Sequence, residues 1–387
     1  MTERRRPKGT GSIQARDDRW RAFYSYIDAA GIRRRKVGSF DTKTEARQWL
    51  TSKLAEVAGG QTSDPGSITV GQYLTQWLGS LGMQQLEAAT VSWYRSAVER
   101  HIVPKLGGVK LARLTPSLIE GFLSEKASSG RLDGGGGLSP TSVRRLQVTL
   151  HKALDGAVRK GLLHRNPADF ADKTRVPVPD VTLDVWTPVE LARFVAGSSD
   201  DRLGAIWRVA AMTGLRRSEV CGLKWPDLDL DGGRLSVRRA VVIVDGMPHV
   251  KPPKTAKSRR TVELDAGTVA GLRDWRKRQL EERLRAGEAW TPGEWIATNE
   301  IGAPLRPDYL GRRFSELAAS LGLRHIAMKQ LRHSHATALL AAGEHPKVVQ
   351  ERLGHSSISI TLDTYSAVLP NMQREAVERR ARTFDVR

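Results

Sequence analysis

The sequence predicts a multidomain chain, mainly α-helical with small β-sheets. Three observations predict it. At 387 residues the chain exceeds one ordinary domain, so two or three are expected. Near the N-terminus, aromatic and polar side chains alternate at the period of a strand. Beyond that, apolar residues recur mostly at helical spacing, with one alternating stretch at 234–264. The expected domains are 1–60, a small sheet with one helix; 66–168, four helices; and 180–387, a mixed α+β domain with a C-terminal tail.

Residues 1–9 form a basic polar tail, expected to order only against a partner. Strand signals open at Gly11-Ser12-Ile13 and continue through Trp20–Tyr26, the turn Asp28–Gly31 and the strand Arg33–Phe40. Thr42 with Glu45 is a capping-box pattern, and Ala46, Trp49, Leu50, Leu54 and Val57 continue it as a helix. Arg21, Arg33, Arg34, Arg35 and Lys36 interleave with aromatics on these strands. A strand face of that kind can enter a DNA groove. The same charges would also protect an edge strand. Their single sign favours DNA.

Residues 59–67 are a linker by composition. Four helical stripes follow: Val70, Tyr73, Leu74 and Trp77; Val91, Tyr94, Val98 and Ile102; Leu118, Ile119, Phe122 and Leu123, started by Thr115-Pro116; and Val143, Leu146, Leu150 and Leu154. Ser129–Gly137 reads as a flexible loop and Asn166–Pro179 as a second linker. Thr187-Pro188-Val189-Glu190 caps the first helix of the last domain, and 203–224 is expected to be helical. Strands follow around 235–237, 240–244 and 261–264, with turns at Asp245-Gly246 and Lys254–Ser258. The rest is mainly helical, with Glu281–Arg285 as a solvated face.

Lys and Arg number 62 against 42 Asp and Glu, a net charge of +20 spread along the chain. That balance favours a polyanionic partner, most simply nucleic acid. The single Cys221, in an apolar setting, excludes an internal disulfide framework and any Cys-based zinc site. No secretory signal and no membrane-length apolar run is present, so a cytosolic setting is expected.

Residues 325–365 concentrate groups that can act on a phosphate: Lys329 and Arg332 on one helix face, then His355 and Tyr365. A Tyr can attack a phosphodiester while cations stabilise the developing charge. A routine helix pair with a buried Tyr fits this stretch equally well. Metal chemistry finds little support, since the nearest candidates, His333 and His335, do not share a helix face.

Two further basic segments join this one: Thr213-Gly214-Leu215-Arg216-Arg217-Ser218-Glu219, and Lys251–Leu264 with its Lys254-Thr255 turn. With Leu331-Arg332-His333 and Leu353-Gly354-His355…Tyr365, they stand in the order and spacing of the tyrosine recombinases, the phage-integrase type of site-specific recombinase, which the chain closely resembles. The catalytic resemblance covers about residues 180–375. The four-helix segment resembles the family's core-binding domain and the N-terminal sheet its arm-type DNA-binding domain.

The resemblance implies roles residue by residue. Arg216 and Arg332 match the two catalytic arginines, and Tyr365 the nucleophile. Lys254 matches the general acid for the leaving 5′-hydroxyl, with Lys257 a near competitor that also counts among the DNA contacts. His355 matches the third box. Glu219 matches an acidic residue supporting the first arginine, and His333 a His whose role stays open. One position departs. The second box usually begins with His, and here Lys329 stands there. Lys can donate to a phosphate oxygen, but a Lys with the usual pKa of roughly 10.4 is protonated and is a poor base.

The implied activity is cutting and rejoining DNA through a 3′-phosphotyrosine, without ATP, metal or other cofactor, in the integration and excision of a phage or mobile element. The implied partners are double-stranded DNA with core-type and arm-type sites, three further copies of the chain, a DNA-bending protein and an excision factor. A DNA-binding regulator that has lost catalysis is the alternative, resting on Lys329 alone. The apolar stripe Val368, Leu369, Met372 and Val377 resembles the family's exchanged tail; docking in cis or in trans stays open.

Overall fold

The structure, a computed structural model, describes residues 11–27, 33–58, 68–172, 184–253, 259–355 and 357–365, with residues 377, 380 and 381. The tail 1–9, the Asp28–Gly31 turn, the 59–67 linker, Lys254–Ser258 and nearly all of the chain after Tyr365 lie outside the described residues. The chain divides into two compact units, Met1–Val178 and Pro179–Arg387. The first unit holds two separate apolar cores.

Strands β1 (Ser12–Arg16), β2 (Arg19–Ile27) and β3 (Arg33–Phe40) form an antiparallel sheet in that order, followed by α1 (Lys43–Ala58). Asp17 and Asp18, both at positive φ, make the two-residue turn that a tight hairpin needs. Thr42 Oγ1 accepts the Glu45 N–H at 3.2 Å and starts α1. Ala46 and Leu50 of α1 bury Ala22 and Tyr24 of β2. Register then sorts the basic residues. Tyr24 lies opposite Lys36 and Tyr26 opposite Arg34, so these two stand on the α1 side. Arg21, Arg33 and Arg35 lie opposite Ser39, Ile27 and Ser25 on the other face, with Arg35 over the Phe23 ring at 4.4 Å. The five basic residues named from sequence therefore do not form one surface.

The second core of this unit is built by α2 (Val70–Ser80), α3 (Ala88–Ala97), α4 (Val103–Leu106), α5 (Pro116–Ser129) and α6 (Pro140–Arg159). A π-helical turn, Val98–Ile102, joins α3 to α4 and keeps Val98 and Ile102 buried. The predicted stripes form the core, except that Leu118 is 42% exposed and Val91 is only half-buried and lies outside it. The Ser129–Gly137 loop is closed by hydrogen bonds, Arg131 N–H to Gly136 O and Leu138 N–H to Lys126 O. Residues 166–171 are not linker. Asn166 is buried, donating to Asp155 and the His151 carbonyl, and Ala168 and Ala171 pack into the core.

This region also corrects the expectation of no acidic cluster at metal-ligand spacing. His151, Asp155 and Asp169 gather within 4.8 Å. The His151 ring, however, faces Asp155 with Nδ1 (3.3 Å) and Asp169 with Nε2 (2.7 Å). The ring therefore lies between the two carboxylates and joins them. The cluster acts as a clamp between α6 and the turn after it.

In the second unit, α7 (Pro188–Gly197) starts at a Thr187–Glu190 capping box. The expected helix over 203–224 is broken into α8 (Gly204–Thr213) and the one-turn α9 (Arg217–Val220), because Gly214 takes the left-handed conformation, φ 63°. Then come β4 (Leu228–Asp229), β5 (Arg234–Val237), β6 (Ala240–Val244), β7 (Met247–Lys251) and β8 (Arg260–Glu263). They form a β4-β5-β8 sheet and a β6-β7 hairpin turning at Asp245-Gly246. Helices α10 (Ala266–Ala286), α11 (Pro307–Ser320), α12 (Met328–Ala341), α13 (Pro346–Leu353) and α14 (Ile358–Tyr365) complete it. Its core centres on Trp186, Phe194, Trp207 and Phe314, whose rings meet at 5.1–6.4 Å. Glu282 corrects the expected solvated face of α10: it is buried and paired with Arg202 at 2.7 Å.

A Cβ at Gly214 would sit 2.7 Å from His335 Cδ2 and 2.8 Å from Leu353 Cδ2, besides straining the left-handed backbone. Gly214→Ala is therefore expected to destabilise the chain by at least about 1 kcal/mol. The midpoint of urea unfolding reads this, and an unchanged midpoint would show that the turn yields.

Candidate active site

The break at Gly214 places Arg216 just before α9. Glu219, three residues on, reaches back as a capping residue: its Oε2 accepts the Arg216 backbone N–H at 2.9 Å. Its Oε1 accepts from Arg216 Nη1 at 2.7 Å. The other side of the carboxylate meets Arg260 of β8, with Nη2 to Oε2 at 3.0 Å and Nη1 to Oε1 at 3.3 Å. Glu219 is buried, and burial alone would push its carboxyl up; the hydrogen bonds and charges of Arg260 and Arg216 outweigh that and hold it below the usual carboxylate range. Arg216 keeps 42% of its side chain exposed.

Helix α12 contributes Lys329, Arg332 and His333. Arg332 is buried, and its Nη1 and Nη2 donate to the carbonyls of Gly214 (2.8 Å) and Leu353 (2.7 Å). It ties the end of α8 to the end of α13. Gly354, left-handed at φ 69°, turns the chain after α13. His355 then enters the site, held by Gln350 Nε2 donating to its carbonyl at 2.8 Å. Its Nδ1 lies 2.8 Å from the buried Thr361 Oγ1 of α14.

Burial and then the charges of Arg332, Arg216, His333 and Arg260 lower the His355 pKa to about 4. Arg332 binds the carbonyls two residues before Arg216 and two before His355, and Arg260 joins Glu219 to the Arg352 carbonyl, so the three arginines gather where His355 enters. His333, half-buried, is lowered too, by burial and then by Arg332 and Lys329. Both histidines are therefore neutral at pH 7. The positive charge of the site belongs to its arginines and to the exposed Lys329. Forked guanidiniums beside a neutral imidazole donor suit the oxygens of a phosphodiester and its transition state.

The structure brings Arg216, Glu219, Arg332, His333 and His355 together. Lys254 and Lys257 lie outside the described residues, and of Tyr365 only the backbone, at the end of α14, is described. Sequence reasoning missed Arg260 and the pair His335–Arg352. Arg352 donates from Nε to His335 Nε2 (3.1 Å), from Nη1 to Glu263 O (3.1 Å) and from Nη2 to Met212 O (2.9 Å). A signal existed for Arg260: it shares strand phase with the buried Val262, so it had to face inward. Arg352 carried no such mark beside Glu351.

Residues 189–372 match the model of the phage integrase family, and residues 69–127 that of the phage integrase N-terminal SAM-like domain. The tyrosine recombinase XerC-like protein of Caldanaerobacter subterraneus is 28% identical over 355 residues, covering 87% of this chain and 89% of that protein. The ICEBs1 integrase of Bacillus subtilis is 31% identical over 245 residues, 63% of this chain and 66% of the relative. The Tn1549 transposon integrase, solved in complex with a circular intermediate DNA, shares the fold at TM-score 0.66 and 19% identity, over 81% of this chain and 99% of that one. The lambda integrase tetramer bound to a Holliday junction does so at TM-score 0.57 and 19% identity, over 93% and 96%.

His335 is neutral as well: burial and then Arg352 lower its pKa to about 3. Unfolded histidines titrate near ~6.5. As pH falls below that value the unfolded chain binds protons that folded His355 and His335 refuse, so stability is lost down to about 4 for His355 and about 3 for His335. Melting temperature should fall across this window, and less steeply in His335→Gln. Equal slopes in the two proteins would contradict the assignment.

Proposed function

Because the chain belongs to the phage integrase family of tyrosine recombinases, we propose that it integrates and excises a phage or mobile element by cutting and rejoining DNA at specific sites. It is a site-specific DNA recombinase. The observation that carries the mechanism is Arg332 bound to the carbonyls of Gly214 and Leu353, each two residues before Arg216 and His355, which brings these three groups together. The Tyr365 oxygen attacks the scissile phosphorus as its phenolic proton passes to water, the bond to the 5′-oxygen breaks, and a 3′-phosphotyrosine forms. Arg216 and Arg332 hold the non-bridging oxygens as charge grows on them. His355 donates a hydrogen bond to the same phosphate. Lys254 protonates the leaving 5′-oxygen, with Lys257 the competitor for that task. Lys329 supplies a cation to a phosphate oxygen in place of the family's usual histidine. Ligation reverses these steps, so the phosphotyrosine stores the bond and no ATP is needed.

In this reading the domains divide the labour. Residues 66–168 bind the core site, residues 180–387 carry the cleavage chemistry, and residues 1–60 take the arm-type site. Four protomers act on two duplexes, as in the lambda integrase tetramer on a Holliday junction. The work takes place on DNA in the cytoplasm of the host cell, with a bending protein and an excision factor as helpers.

The chemistry is tested with nicked duplex carrying the attachment site. Wild type is expected to give a covalent protein–DNA adduct on a denaturing gel, and Tyr365→Phe none. Absence of any adduct with specific binding intact would leave only a DNA-binding regulator. Lys329→Ala should slow adduct formation and Lys329→His should restore it; full activity in Lys329→Ala would remove Lys329 from the phosphate contacts.

The arm site is tested separately. Arg21→Ala and Arg35→Ala, on the face away from α1, should weaken arm-type binding more than Arg34→Ala. Affinity should also fall steeply with salt, since the contacts neutralise phosphates. Equal losses for all three variants would contradict the face assignment.

A further inference from the structure

One buried cation, given no role so far, touches several segments of the site. Arg260 opens β8, the strand that follows the Lys254–Ser258 segment, and only 6% of its side chain is exposed. A buried guanidinium is costly unless its donors are met. Here Nη1 and Nη2 go to Glu219, and Nε donates to the Arg352 carbonyl at 2.7 Å. That carbonyl is one of those the end of α13 leaves without a helical partner. The next one, Leu353 O, is taken by Arg332. The Arg260 side chain also lies against the turn itself: a Cβ at Gly354 would come within 3.0–3.3 Å of its Cδ, Nη1 and Nε. The residue after Gly354 is His355.

Arg260 therefore holds two things at once. Glu219 is shared between it and Arg216, so the position of the carboxylate that orients Arg216 depends on Arg260. The turn that presents His355 is braced by the same guanidinium. We propose that Arg260 is a positioning residue for strand cleavage: through Glu219 it sets the Arg216 fork, and through the Arg352 carbonyl it sets the turn from which His355 enters. This rests on the recombinase reading above. Lys cannot reproduce the role, because a single ammonium cannot serve both carboxylate oxygens and the carbonyl with fixed fork geometry.

The test uses the full chain and the nicked duplex. Adduct formation is followed in a single turnover at saturating DNA, and the rate is expressed per DNA-bound protein so that any misfolded fraction drops out. Arg260→Lys and Arg260→Gln are expected to bind the duplex as wild type does and to form adduct about 10- to 100-fold more slowly, the scale of a small misplacement of reacting groups. The double variant Arg260→Lys with Glu219→Gln should be little slower than the slower single variant, because the two residues act through one contact. A wild-type rate per bound protein in both Arg260 variants would overturn the proposal, as would losses that simply multiply in the double variant. If wild type itself gives no Tyr365-dependent adduct, the recombinase reading falls and takes this one with it.

Discussion

The shared carboxylate of Glu219 is the interaction on which the rest of the site depends. A site for a phosphodiester needs several cations close together, and close cations repel. Burial makes that worse, since the low dielectric strengthens repulsion as well as attraction. Glu219 answers both problems. It lies between Arg216 and Arg260, accepts from both, and stays ionised because their hydrogen bonds and charges outweigh its desolvation. With one carboxylate facing two guanidiniums, the local charge stays positive. Arg216, still partly exposed, can then present its outer edge to an anion.

The histidines follow from that surplus. His355 and His333 sit in a field of arginine charge and are also removed from water, and both effects push their pKa values down. Neutral imidazoles can then act as hydrogen-bond donors at neutral pH without adding to the repulsion. His335 meets the same fate deeper in the fold and becomes an acceptor for Arg352 instead. Lys329 stands at the exposed start of α12, where an ammonium remains hydrated. It adds a cation at the rim, next to the buried groups of the same helix.

Much of this was legible in the sequence because period and caps are local. The stripes led by Val70 and Val143, the Trp20–Tyr26 alternation and the Thr187–Glu190 cap each report a regular element. Arg216, Arg332 and His355 were legible through the order of four motifs. What escaped depended on register or on tertiary partners. Arg34 and Lys36 alternate with Arg33 and Arg35 along β3, but only the pairing with Tyr26 and Tyr24 shows which set faces α1. Glu282 reads as surface until Arg202 arrives from eighty residues away. Asn166 reads as linker because its partners, Asp155 and the His151 carbonyl, sit on α6. Helix over 203–224 was an overreach: Gly214 carries the break, and the positive φ that Gly permits is what frees Arg216 from the helix.

The two left-handed glycines show how the scaffold sets its cations without more acids. Gly214 ends α8 and Gly354 ends α13, and each is followed within two residues by a group of the site. Helix C-termini carry carbonyls without helical partners and a partial negative charge. Arg332 spans the two ends by donating to Gly214 O and Leu353 O, Arg260 takes Arg352 O, and Arg352 itself takes Met212 O near the end of α8. Backbone carbonyls thus do much of the holding that carboxylates would otherwise do. A carboxylate would cancel a full charge; a carbonyl orients a guanidinium and leaves its charge intact. That is how buried arginines can be fixed in place while the site remains attractive to a phosphate.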